Sequence, residues 1–202
     1  MFAFGILGVI IPLFVICAIV YVIVRRRNDK EGITAYQALM TYFYSMIAAS
    51  IITTAVGVGY LLTSAFGSAY NDWPIANDVT LGVTLTCTGA LICALHVLGK
   101  KVIQAREGKP TPLLKRVYQF FMLTIFSIGG LVALPVAIYD MAQYYVDHVE
   151  EYMYNDPSGS IAAAVVVVPL WIYYLVLVMR DTRAAKKSQG SQPSDEGVST
   201  AI

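Results

Sequence analysis

The residues in this 202-residue chain best suited to hold a metal or cofactor are two histidines and three cysteines. His96 lies in the apolar run "ALICALHVLGKK", Ala90 to Lys101, three residues after Cys93 and four before Lys100. At that spacing Cys93 and His96 share a helix face. Two ligands do not complete a metal site, and nothing nearby in the sequence adds a third. A bis-histidine haem needs two axial imidazoles on facing helices. The other histidine, His148, stands in a polar stretch at the far end of another apolar block. A His/Met haem could draw on Met40, Met46, Met122 or Met179, and a haem or quinone could be shared with a partner subunit. His96 is therefore the one candidate cofactor-binding residue, against the ordinary reading of an interfacial histidine bonding a carbonyl, hydroxyl or headgroup.

The richest polar stretch is "YDMAQYYVDHVEEYMYNDP". If a helix runs through it, Asp140, Tyr144, Asp147, His148 and Glu151 fall on one face. Carboxylates with a histidine can bind a cation; the same residues also suit a solvated acidic helix end or a docking face for a basic partner. No Gly-rich phosphate loop, Gly-x-Ser-x-Gly or His-Glu-x-x-His pattern occurs. The chain is expected not to be an enzyme, to carry no cofactor of its own, and to bind no nucleic acid.

The elements that position these residues follow from composition. Residues of the apolar and aromatic classes make up 57% and charged residues only 13%, about half the ~25% of soluble domains. The apolar residues fall in five blocks at about Phe4–Val24, Leu39–Phe66, Val79–Leu98, Val117–Tyr139 and Ile161–Met179. Each approaches or exceeds the ~20 residues a helix needs to cross a bilayer core. They lack the alternation of barrel strands, and a lipid-exposed backbone must satisfy its own hydrogen bonds. The expected fold is an all-α integral membrane protein of five transmembrane helices. Cys17, Cys87 and Cys93 all lie inside these blocks, which excludes a loop disulfide framework.

All 14 lysines and arginines lie after the first block, between the third and fourth, or after the fifth. Five crossings put those three segments on one side, which the positive-inside rule makes cytoplasmic, giving an N-out, C-in chain in the cell (inner) membrane. The outer loops, 68–78 and 140–160, carry acidic residues and no basic ones. Aromatics edge the membrane, with Trp73, Tyr144, Trp171, Tyr174 and His96 as expected interfacial residues. The first block lacks a preceding basic region and reads as an anchor rather than a signal peptide. The tail from Ala184 is polar and expected to be disordered.

No Asp, Glu, Lys or Arg falls within the interior of any block. Proton relays and ion-coupled transporters usually keep such a residue. Ser45, Ala49, Ala55 and Gly59, then Gly129, Gly130 and Ala133, sit at spacings that let helices approach closely. Intramembrane Ser and Thr hydroxyls can bond carbonyls of the preceding turn or bond across helices, and read as packing groups.

Blocks two and four enter alike. At an offset of 76 residues Tyr42 meets Tyr118, Met46 meets Met122, Ile52 meets Ile128 and Val56 meets Val132. Each is followed by an acidic outer loop, a further helix and a basic exit, which predicts two tandem hairpins: an anchor and basic loop over 1–33, repeats over 34–104 and 111–181, and the tail over 184–202. The entry "LLKRVYQFF" and the exit "VVPLWIYYLVLVMR" resemble an uncharacterised bacterial membrane family, domain of unknown function 5671. That family pairs a basic-x-Tyr entry with a Pro-Leu-Trp-x-x-His exit. The second repeat supplies Arg116 and Tyr118, then Pro169, Leu170 and Trp171, with Tyr174 in place of the histidine. The first keeps His96 but has Leu91 and Cys93 where Pro and Trp would fall. The resemblance implies two tandem copies and lends no activity.

These features suggest a non-catalytic integral membrane subunit or assembly factor of a larger complex, energy-transducing complexes included. The lipid bilayer, other integral membrane subunits and anionic headgroups at the basic loops are its expected partners. A small-solute transporter or channel, and a haem- or quinone-contacting electron-transfer subunit resting on His96, are the alternatives.

Overall fold

A computed structural model of the chain describes residues 35–70, 76–107, 112–146 and 157–190. All the elements among them are α-helices: α1 Ala35–Tyr70, α2 Ala76–Glu107, α3 Pro112–Val146 and α4 Ser158–Gly190. The expected first span Phe4–Val24, Cys17, Trp73 and the acidic residues Asp147, Glu150, Glu151 and Asp156 lie outside the described residues.

The four helices are each long and apolar enough to cross a membrane. At 32 to 36 residues they measure about 48–54 Å, well beyond a ~30 Å hydrocarbon core. They therefore overrun the apolar blocks at both ends. Backbone bonding continues the helix into polar sequence until a breaker stops it: Gly108 and Pro110 follow α2, and Pro112 opens α3 where its missing N–H costs nothing. α4 likewise continues through 184–190, the start of the segment expected to be disordered. Its "RAAKK" is rich in strong helix formers, so the polar composition of the tail does not end the helix at Ala184.

The chain divides into two compact units, the boundary falling within α1 at Leu61. The first holds most of α1 with α2; the second holds α3 with α4. In the first, α1 and α2 run antiparallel, because Tyr42 and Phe43 near the start of α1 meet His96 near the end of α2. Three glycines bring the backbones together. A Cβ on Gly57 would lie 2.5 Å from the Thr86 nitrogen and 2.9 Å from the Gly82 carbonyl, and one on Gly82 would lie 3.1 Å from the Gly57 carbonyl. A Cβ on Gly89 would lie 2.8 Å from the Thr54 nitrogen. Contacts this close need the absence of a side chain and allow Cα–H to face carbonyl oxygen.

In the second unit, Lys115 at the start of α3 meets Asp181 near the end of α4 at 2.7 Å, so this pair is antiparallel as well. Its seam is filled by side chains rather than backbone. Val167 packs over Gly129 and Gly130, 3.2 and 3.8 Å from where their Cβ atoms would stand. Met122, Phe126, Ala162 and Tyr174 are buried here. Met40, Tyr44, Ile47 and Ala48 are buried on α1.

Many large apolar side chains remain exposed, Leu91, Leu95, Leu98 and Leu131 among them. In lipid this is the ordinary outer surface of a helix, since acyl chains solvate it as well as a core would. Many of the described hydroxyls bond the preceding turn, whereas those of Ser64 and Thr86 are buried without a hydrogen-bond partner. Thr41, Ser50, Thr53, Thr54, Thr84 and Thr124 each donate to a carbonyl one turn back at 2.8–2.9 Å.

Candidate functional site

The residues with chemical potential converge where the basic end of each helix pair closes. In the first unit the triplet Tyr42-Phe43-Tyr44 fans three consecutive rings from α1 toward the last turns of α2. The Tyr42 hydroxyl lies 3.3 Å from Nε2 of His96. Phe43 packs on Gly99, where a Cβ would come within 2.8 Å of its ring. The ring of Tyr44 carries the Lys100 ammonium 4.7 Å from its centroid, a cation–π contact.

His96 Nδ1 stands 2.7 Å from the carbonyl of Ile92. A carbonyl only accepts, so Nδ1 carries the proton of the neutral ring, and Nε2 accepts from the Tyr42 hydroxyl. Both nitrogens are thereby engaged. The rings of Tyr42 and Phe43 stand 5.7 and 6.0 Å away, centre to centre. A haem iron would have to take the lone pair that Tyr42 occupies. This arrangement does not fit an axial haem ligand.

The second unit builds a counterpart at its own basic end. The hydroxyls of Tyr118 on α3 and Tyr174 on α4 are 3.2 Å apart. Tyr174 stacks on Phe126, centroids 5.7 Å apart and planes 14° from parallel, and is 4% exposed. Lys115, Asp181 and Gln119 close the basic end. The ammonium of Lys115 and the side-chain amide of the buried Gln119 both donate to the Asp181 carboxylate.

The expected packing residues divide. Gly129 and Gly130 lie in the seam against Val167. Ala49 is exposed, and a Cβ on Gly59 would meet nothing within 4 Å. Ser45, Ala55 and Ala133 are half-buried. The close approach on α1 is instead made by Gly57, with Gly82, Gly89 and Gly99 opposite, none of which the spacing argument singled out. A signal was there: Gly82, Gly89 and His96 recur every seven residues, the period of a helix seam.

Of the expected interfacial residues, Tyr144 sits on α3 against Tyr145, ring centroids 5.1 Å apart. Trp171 is partly exposed at the midpoint of the candidate span Ser158–Ala184. His96 and Tyr174 lie inside the two helix pairs as described. Cys87 is exposed and Cys93 half-buried, both as free thiols. Among the described residues no three His, Cys, Asp or Glu side chains gather as a metal site. Asp140 and Tyr144 lie on α3; Asp147, His148 and Glu151 fall outside the described residues.

Searches against protein-family models, curated proteins and solved structures return no match to this chain.

Proposed function

We propose that this chain is a non-catalytic integral membrane subunit or assembly factor, threaded N-out and C-in by five spans and built on two tandem helical hairpins. The observation that carries the reading is how little of each described span is covered within the chain. Only 22%, 11%, 22% and 11% of the most apolar windows of the four helices are buried, while the seams inside each hairpin are closed by direct contact. Such a molecule presents most of its apolar surface outward, to lipid and to the helices of other subunits.

The threading rests on charge. Lys100, Lys101 and Arg106 end α2; Lys115 and Arg116 start α3; Arg180 and Arg183 end α4. Within each hairpin these residues occupy the end opposite the connecting loop. The positive-inside rule places that end in the cytoplasm, where anionic headgroups are its partners.

The tandem repeat is supported by the ring pairs. Tyr42 and Tyr118 are 76 residues apart, and His96 and Tyr174 are 78 apart. The hydrogen-bonded partners of each pair are separated by 54 and 56 residues. Each hairpin thus ties its basic end with a tyrosine from its first helix and a hydrogen-bonding ring from its second. The resemblance to domain of unknown function 5671 supports the same two-copy layout.

Purification of the tagged full chain in mild detergent tests the function. The expected result is a stoichiometric assembly with other integral membrane proteins that survives raised salt. A monodisperse monomer, recovered from its native membrane with nothing bound, would contradict it.

A further inference from the structure

Trp171 stands at the midpoint of the span Ser158–Ala184 and is 37% exposed. Indoles favour the membrane interface, where the ring is buried and its N–H is wet. Neither the Trp171 N–H nor the hydroxyl of exposed Tyr173 makes a hydrogen bond among the described residues. The same hairpin frees two backbone acceptors. Pro135 inside α3 and Pro169 inside α4 have no N–H to give the carbonyls of Leu131 and Val165. Leu131 is 76% exposed, Val165 is exposed as well, and no side chain among the described residues donates to either carbonyl. Two donors and two acceptors thus sit on exposed residues inside the apolar blocks of α3 and α4.

From these four groups, and resting on the subunit reading above, we infer that the outward face of the second hairpin around Pro135, Pro169 and Trp171 docks a transmembrane helix of another polypeptide. That helix carries hydroxyl or amide side chains within the membrane. Acyl chains neither donate nor accept, so a polar group left to lipid keeps its desolvation cost. Hydroxyl and amide side chains do both, and serve a carbonyl and an N–H alike. The first hairpin is the internal control. By the offsets of 76 and 78 residues, Pro135, Pro169, Trp171 and Tyr173 correspond to Gly59, Leu91, Cys93 and Leu95. Gly59 and Leu91 keep their N–H, and Leu95 has no polar side-chain atom, so these positions ask only for lipid. Nearer occupants fit less well. The block Phe4–Val24 offers as side-chain donors only the Cys17 thiol and the Tyr21 hydroxyl. In a second copy the exposed Thr84 and Thr124 already donate to carbonyls of their own helices, which leaves the exposed Thr88.

The test uses the full chain in its native membranes, with photoreactive p-benzoylphenylalanine at one position at a time. Ile172 and Val176 on the second hairpin are matched by Ala94 and Leu98 on the first, all four exposed. Illumination is expected to join Ile172 and Val176 to another membrane protein and to leave Ala94 and Leu98 without a protein adduct. Tyr173→Phe removes a hydroxyl and keeps the ring; Pro169→Ala returns an N–H to the Val165 carbonyl. In membranes diluted with excess lipid, each should lower the adduct yield at Val176 roughly threefold, the scale of one interhelical hydrogen bond. An unchanged yield in either variant overturns the hydrogen-bonded dock. Adducts from Ala94 and Leu98 alone, or equally from both hairpins, overturn the inference and leave the subunit reading standing. An adduct of two differently tagged copies, or one within a single chain, overturns the choice of partner. If no position gives an adduct, the inference falls alone where the assembly still purifies intact, and together with the subunit reading where only a monomer is recovered.

Discussion

The Tyr42 hydroxyl donates to Nε2 of His96 at 3.3 Å, and this bond decides what the histidine can do. Nδ1 is already held by the Ile92 carbonyl at 2.7 Å. With both nitrogens engaged, the imidazole ties α1 to α2. It fastens the basic end of one helix pair as Tyr174 and Tyr118 fasten the other.

The ring pairs should be interchangeable. His96→Tyr places in the first hairpin the tyrosine pair of the second, and should change stability by less than about 1 kcal/mol, the scale of an interhelical hydrogen bond in a membrane. His96→Ala removes the ring that packs on Tyr42 and Phe43 and should cost about 2 kcal/mol. Thermal unfolding of the purified protein in detergent separates the two. A histidine with a unique role would make both substitutions equally damaging.

Two glycines two residues apart should respond in opposite ways. A Cβ at Gly57 would press on the Thr86 backbone nitrogen at 2.5 Å, so Gly57→Ala should destabilise by about 1–3 kcal/mol or more. A Cβ at Gly59 would meet nothing within 4 Å, so Gly59→Ala should be neutral or gain up to about 1 kcal/mol from helix propensity. Detergent unfolding curves of the two variants check this directly.

The contrast at Gly57 and Gly59 also shows what could be read from the sequence. The four described spans were legible because hydropathy is a property of one helix facing lipid. The expected Leu39–Phe66 lies within α1, Ala35–Tyr70, and only the ends differ, because backbone bonding continues where hydropathy stops. A seam belongs to two helices. Gly59 has the right spacing from Ala55 and an open face; Gly57 closes on Gly82 and Thr86. Nothing in the α1 segment alone distinguishes them, since the deciding atoms are on α2. His96 was visible as a residue of chemical interest, and Tyr42 as half of a repeat, yet their bond emerges only when α1 and α2 are placed side by side.

Asp181 and Lys115 should matter less than their 2.7 Å contact suggests. The lysine side chain is 49% exposed, and pairs of that kind contribute about 0–1 kcal/mol. Lys115→Met should therefore lower stability by less than about 1 kcal/mol. The exchanged pair, Lys115→Asp with Asp181→Lys, should recover most of any loss from either single exchange. A chemical denaturation series at two salt concentrations measures both effects.

Because both nitrogens of His96 are engaged, the purified protein should show no Soret band that depends on this residue. The visible spectrum should be the same for the parent protein and for His96→Ala. A band present in the first and absent in the second would mean that Tyr42 yields its place to iron.

Labelling of single cysteines from either side of the membrane tests the threading most directly. In the cysteine-free chain, Phe2→Cys, Trp73→Cys and Asp156→Cys should react with an impermeant maleimide in intact cells. Gly108→Cys and Ser194→Cys should react only after permeabilisation. Labelling of Gly108→Cys from outside, with Trp73→Cys protected, would contradict the account.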